Sequence, residues 1–509
     1  MRNVLPRRAL VLAVLLPALL AGCTAGPSKR PPVVENDAPV STAPTSTTSE
    51  VPLPPLSEPS APGVDWTDCD ARTRARLGAP APEQVRFSCG TVLSRLDSPA
   101  LPGRIQTRVS LLRAGTGDIP LVVVNDVDGE PGTLYAARLA GTLPPALLQR
   151  FSLIGLDRRG TGESDPLSCV PGDTRNQLLD HDPADDDLEP LLDAARKAGQ
   201  QCAIDLGGAQ QSFDSWRTAG DLEAVRDELG VPHLHALAHG EGSQVLISYA
   251  ARFPDRVGRF VMDGVPDPSS DTATVLGELA AAQQATLDAY ATAVGQDAGA
   301  AVSAVLERLR VSPRVLPGGA LFGPGAALRA VVTGLADRAR WGELAAALDA
   351  GRGGDVQGLA AFLTPMLDGS DVWASRLDAT LATQCNDTVE RIPADRIAEL
   401  TTQLRDRYPV FGGLAAQRPA WCLPWPAHTE SLPTLSTSGL PPILVTSTLA
   451  DPVTPETGTV RATQQMPSAV RVAWQGAGHG ALSSPCAADA VRAFLVDGRV
   501  PDDGTLCPA

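Results

Sequence analysis

The sequence predicts an α/β protein built on a mainly parallel sheet, and three observations carry that expectation. Short apolar runs alternate with segments of helical periodicity on either side of a long middle stretch. Each run closes on a turn rich in Gly, Asp or Pro, as buried parallel strands do. Between about Ser269 and Thr434 the alternation stops and Ala/Leu-rich helical periodicity replaces it, the mark of a helical insertion in a sheet domain.

The elements follow in order. Pro120–Asn125 and Phe151–Asp157 read as buried strands. A helix begins near Thr218, with Leu222, Val225 and Leu229 at helical spacing. His233–Ala238 reads as a strand, Gly240-Glu241-Gly242 as a tight turn, and Ser243–Arg252 as a helix. Arg259–Asp263, Pro442–Thr446 and Val470–Trp474 are further strands, and Ala487–Leu495 is a closing helix. Within the insertion, helices are expected over Thr272–Val294, Ala300–Arg310, Ala326–Asp349, Val356–Leu367 and Asp395–Arg407.

The chain has 509 residues, 43% hydrophobic and 20% charged, a globular balance. Its 42 Lys+Arg against 58 Asp+Glu give a net charge of −16 with no basic tract, which excludes a nucleic-acid partner. Arg2, Arg7 and Arg8 precede the apolar run Ala9–Leu20 and then Ala21-Gly22-Cys23. This is the layout of an export signal, too short to span a bilayer, and its end resembles a bacterial lipobox with Cys23 as the lipidated residue. Residues 24–62 hold 10 Pro, 6 Ser and 5 Thr, the composition of an extended, flexible tether. The expected organisation is therefore a signal over 1–22, a tether over 23–62, core over 63–268, a helical lid insertion over 269–435 and core again over 436–509. The membrane is reached through the lipid anchor only, at the outer face of the cell membrane.

Cysteine usage fits export. Setting Cys23 aside leaves eight, and the simplest of many pairings is sequential: Cys69–Cys89, Cys169–Cys202, Cys385–Cys422 and Cys486–Cys507. No C-x-x-C spacing occurs. His233, His235 and His239 suggest a zinc cluster, but strand histidines packed beneath helices are the better reading, so no metal or other cofactor is expected.

Chemistry on such a sheet gathers at the carboxyl ends of the strands. The turns there are Asn125–Gly132, Asp157–Pro166, Ala238–Gly242, Asp451–Pro455 and Gly476–Gly480. A strand–turn–helix, then an acid, then a His is the chain order of an α/β-hydrolase. The turn Asp157-Arg-Arg-Gly-Thr-Gly-Glu-Ser-Asp-Pro166, the run Ala251–Arg259 into Met262–Pro268, Asp451-Pro-Val-Thr-Pro455, Gly476-Ala-Gly-His479 and the tail Pro485–Cys507 resemble the tripeptidyl-aminopeptidase-like (TAP-like) branch of exported bacterial serine peptidases. The resemblance implies an α/β-hydrolase fold with a helical lid and a Ser-His-Asp hydrolase acting on peptides with free N-termini. It makes Asp451 the orienting acid and His479 the general base.

The nucleophile is missing. The elbow Ala238-His239-Gly240-Glu241-Gly242 keeps the small flanking residues but has glycine where serine belongs. The family's glycine-rich oxyanion loop is also altered: Gly129, Glu130, Pro131 and Gly132, with Glu241 opposite, bring acids to the region, and Asp126 and Asp128 lie beside it. Negative charge there opposes an oxyanion. Two functions are therefore expected in competition. One is a catalytically impaired hydrolase that binds a peptide or small-molecule ligand under the lid. The other is an active peptidase or esterase with a displaced nucleophile, such as Ser243 one helical turn on. Glu241 acting as base for a bound water is a weaker rescue.

Overall fold

The computed structural model describes residues 51–78, 84–97, 103, 105–269, 271–368, 374–426, 432–433 and 438–509. The export signal and Cys23 lie outside them. A ten-stranded sheet forms the core, from β1 (Thr67–Asp68), β2 (Phe87–Leu96), β3 (Ile105–Ala114), β4 (Ile119–Val124), β5 (Phe151–Leu156), β6 (Leu234–His239), β7 (Val257–Asp263), β8 (Ile443–Ala450), β9 (Ala469–Ala477) and β10 (Thr505–Cys507). Their spatial order is β1-β2-β3-β5-β4-β6-β7-β8-β9-β10. From β5 to β10 every pairing is parallel, while β1, β2 and β3 add an antiparallel flank.

The fully buried strands β4 and β5, rich in Ile, Leu, Val and Phe, show why the sequence reads as parallel sheet: both faces are covered. The chain passes from β4 to β5 on one side and then returns to place β6 on the other. The loops after β4 and β6 therefore meet at the sheet's switch point, where ligands bind in open α/β sheets.

Between β7 and β8 the described residues are mainly helical, with only the two-residue pair Arg314–Val315 and Leu321–Phe322 extended. The helices Gly172–Asp180 and Glu189–Leu206, which precede β6, share one apolar cluster with this insertion, so the lid is built from two parts of the chain. The expected helix Ala326–Asp349 is two helices, Pro324–Ala336 and Trp341–Gly353. They are broken where the Asp337 side chain accepts from the Ala339 amide and starts a new turn.

The tether expectation needs correction over 51–62. Leu53 and Leu56 pack against the core, the Ser60 amide donates to Gly230 O at 2.9 Å, and Arg259 Nε donates to Pro54 O. Proline pre-orders this stretch, so docking two leucines costs less chain entropy than composition alone suggests. The four disulfides join the cysteines in sequential pairs, as expected. No helix among the described residues is long and apolar enough to cross a membrane.

Candidate active site

Gly240 directly follows β6 with φ +57°, the left-handed conformation of a nucleophile elbow, and the helix Gly242–Arg252 comes next. Its amide donates to Asp263 O on β7 at 2.9 Å. Across the switch point lies Asp126, two residues beyond β4. A Cβ at position 240 would stand 2.2 Å from Asp126 Oδ1 and 2.5 Å from Oδ2. The Asp126 carboxylate thus fills the space that a side chain on the elbow would need.

The catalytic acid and base positions are assembled. His479 Nδ1 lies 3.0 Å from both oxygens of Asp451, a buried carboxylate that also accepts from the Val453, Thr454 and Gly480 amides and the Thr454 hydroxyl. The other ring nitrogen, Nε2, is 2.9 Å from Asp126 Oδ2. A ring with a carboxylate on each nitrogen donates from both, so it is an imidazolium. Burial opposes that charge on His479, but Asp451 and Asp126 outweigh it and hold the ring protonated well above its usual range. Burial would likewise raise Asp126 and Asp451, yet the imidazolium keeps both carboxyls below their usual range. A protonated Nε2 cannot take a proton from a nucleophile.

The oxyanion hole is filled as well. Its donors in this fold are the amide after the nucleophile and one from the loop after the neighbouring strand, here β4. Here the Glu241 amide donates to Asp126 Oδ1 at 2.6 Å, and the Val127 amide donates to Glu241 Oε2 at 3.2 Å. Glu241 is itself clamped by buried Arg158, at 2.6 Å. The expected oxyanion-loop residues therefore divide. Glu241 and Asp126 block the hole, whereas Glu130 turns away to pair with Arg138 at 2.9 Å. Gly129, Pro131 and Gly132 shape the turn into the helix Gly132–Leu139, where a Cβ on Gly132 would strike Leu156 O. Sequence reading flagged Asp126 only as a nearby charge; its place in the elbow follows from the contact between β4 and β6.

Ser243 is fully buried and its hydroxyl donates to Gly264 O at 2.5 Å. It is not among the hydrogen-bond partners of His479. The rest of the Asp157–Pro166 turn is scaffold: Asp157 accepts from the Thr133 and Glu163 amides, and Arg159 forms a buried pair with Asp221 at 2.7 Å. His235 accepts from the Arg259 amide, and His233 does not join it in a ligand cluster. His239 instead orients on Asp263 at 3.0 Å. Asp126, His239 and His479 do offer ligand-type atoms within 4.8 Å of one another. Within this group Asp126 Oδ2 and His479 Nε2 are in direct hydrogen-bond contact at 2.9 Å.

Above the site, helices of both lid segments enclose a cavity of about 190 Å³. Its floor includes Asp128, Pro452 and Val453, neighbours in sequence of Asp126 and Asp451. Burial and the charge of Asp126 push the Asp128 carboxyl up to about 6.

An elbow after β6, an acid after β8 and a histidine after β9 define the α/β-hydrolase class. The profile described as alpha/beta hydrolase fold matches residues 127–307, and the profile described as TAP-like protein matches residues 408–507; together they cover more than half the chain. The chain is thus an α/β-hydrolase whose C-terminal part matches the TAP-like family. It is similar to serine protease Hip1 of Mycobacterium tuberculosis, 26% identical over 492 residues, covering 89% of this chain and 92% of that protein. It is also 27% identical over 486 residues to the tripeptidyl aminopeptidase of Streptomyces lividans, covering 87% and 86%. A solved structure of a thermophilic esterase from Thermogutta terrifontis aligns with a TM-score of 0.38 at 16% identity, covering 80% of this chain and 98% of that one.

Proposed function

We propose that this protein is an exported, lipid-anchored member of the TAP-like family that binds a peptide or small-molecule ligand beneath its lid without covalent hydrolysis. One observation carries the reading: the Asp126 carboxylate stands where a nucleophile would stand, with one oxygen on the Glu241 amide and the other on His479 Nε2. A single side chain thereby removes the room for a nucleophile, the base and half of the oxyanion hole.

Asp126 does not itself serve as nucleophile. Both its oxygens are hydrogen-bonded, and attack from it would leave the developing oxyanion without the Glu241 donor. The alternative of a displaced Ser243 is disfavoured by its commitment to Gly264 O.

The test is labelling of the purified protein with a fluorophosphonate. No serine is expected to be modified; stoichiometric labelling that is lost in His479→Ala would overturn the reading. Anchoring is tested separately: Cys23→Ser should move the protein from the membrane fraction to the soluble one.

A further inference from the structure

The cavity beneath the lid is lined by three arginines, Arg329, Arg376 and Arg418, against one carboxylate, Asp128. None of the three forms an ion pair with another described residue. Arg329 spends Nε on Leu179 O at 3.1 Å and lays its guanidinium 4.5 Å from the Trp421 ring centroid. Burial, then the charge of Arg418, pulls Arg329 down to about 10, so it remains a cation at neutral pH. Asp180 acts on Arg329, and Glu130 and Asp128 on Arg376, only without direct pairing, so three guanidinium groups at one cavity wall remain available to an anion.

A second observation is independent of charge. Two side chains that line the same cavity are more than nine-tenths buried yet carry an unpartnered polar atom: Trp421 Nε1, a donor, and Gln283 Oε1, an acceptor. Buried polar atoms are nearly always satisfied, so two orphans on side chains that line one cavity point to a polar ligand there. The donor suits an oxyanion. The acceptor suits an N–H. Leu279, Phe362 and Met366 supply apolar wall between them.

We infer that the cavity is a binding site for the carboxylate of an acylated hydrophobic amino acid, the chemistry shared by a peptide C-terminus and an N-acyl amino acid. The carboxylate faces Arg376, Arg418 and Trp421 Nε1, the amide N–H donates to Gln283 Oε1, and the apolar side chain packs on Phe362 and Met366. The inference rests on the proposed function in taking this cavity as the ligand chamber, but it does not depend on whether catalysis is lost.

Calorimetry on the folded exported protein tests it with two probes, N-acetyl-leucyl-leucine and N-octanoyl-leucine, each as the acid and as its C-terminal amide, and with leucyl-leucine amide as a cation. Removing a charge-assisted hydrogen bond is worth about tenfold or more. The acids should therefore bind at least about tenfold more tightly than their amides, and the cation more weakly still. Preference between the two acids identifies the source as peptide or acyl amino acid. Arg376→Gln should weaken the acid by about tenfold and leave the amide unchanged, and Trp421→Phe should weaken it several-fold. If Arg376→Gln fails to fold, Arg418→Gln, at an exposed position, carries the same expectation. Amides or the cation binding as well as the acids, no binding of either acid, or acid affinity unchanged in the arginine variants would overturn the inference. Fluorophosphonate labelling alongside intact acid binding would overturn the proposed function and leave this site standing.

Discussion

Restoring the serine alone should fail, because the elbow is already occupied. In Gly240→Ser the new Cβ would meet Asp126 Oδ1 at 2.2 Å and Cγ at 2.7 Å, so Asp126 must swing away. Leaving its place breaks two charge-assisted hydrogen bonds, to the Glu241 amide and to His479, each worth roughly 1.5–3 kcal/mol. The left-handed backbone at φ +57° adds roughly 1–3 kcal/mol for a residue with a Cβ. Together these reach on the order of 5 kcal/mol, a large part of a typical domain's stability. The double variant Gly240→Ser with Asp126→Gly loses the same two hydrogen bonds and keeps the backbone strain, but it removes the clash between the new Cβ and the carboxylate. It also frees the Glu241 amide and returns a lone pair to His479 Nε2. Urea unfolding and fluorophosphonate labelling read both effects. The single variant should be destabilised by roughly 5 kcal/mol relative to the unsubstituted protein and remain unlabelled. The double variant should label in a manner that requires His479. A single variant as stable as the unsubstituted protein, or one that labels as readily as the double, would refute the reasoning.

Three other outcomes follow from the structure. Asp387 has its carboxyl pushed up to about 8 by burial and by Asp214 and Glu241. The folded state therefore keeps a proton that the unfolded chain loses above about pH 4, and stability should fall by up to about 1.4 kcal/mol per pH unit from there to about pH 8. Asp387→Asn should flatten that slope in urea titrations at pH 5 and pH 8; a steeper slope in the variant would contradict it. Asp221→Ala strands the buried guanidinium of Arg159 and should cost about 3–5 kcal/mol in unfolding free energy, whereas a loss below about 1 kcal/mol would show the pair to be dispensable. Glu241→Ala strands buried Arg158 and should cost a few kcal/mol in unfolding free energy, about 3 or less because Glu241 is partly exposed, and should open the Val127 amide to ordered water in a crystal structure.

Much of this was legible in the residues because parallel strands buried on both faces carry a strong signal. β4 to β9, the empty elbow at Gly240, the acid and base at Asp451 and His479 and the cysteine pairs are all visible in the sequence. Strands β2 and β3 were not, since their exposed positions mix Ser, Thr, Gln and Arg with apolar residues and blur the period. The break at Asp337 was hidden by the helical periodicity on either side of it. The decisive role of Asp126 could not be read at all from position, because it depends on a side chain from one loop filling the space of a residue more than a hundred positions away.

The most direct measurement is the protonation of His479 itself, by nitrogen-15 NMR of histidine-labelled protein at pH 7. Two ring N–H signals, both lost in His479→Gln, are expected for an imidazolium held between Asp126 and Asp451. A neutral ring with a bare Nε2 would contradict the account, for it would leave a base ready to work.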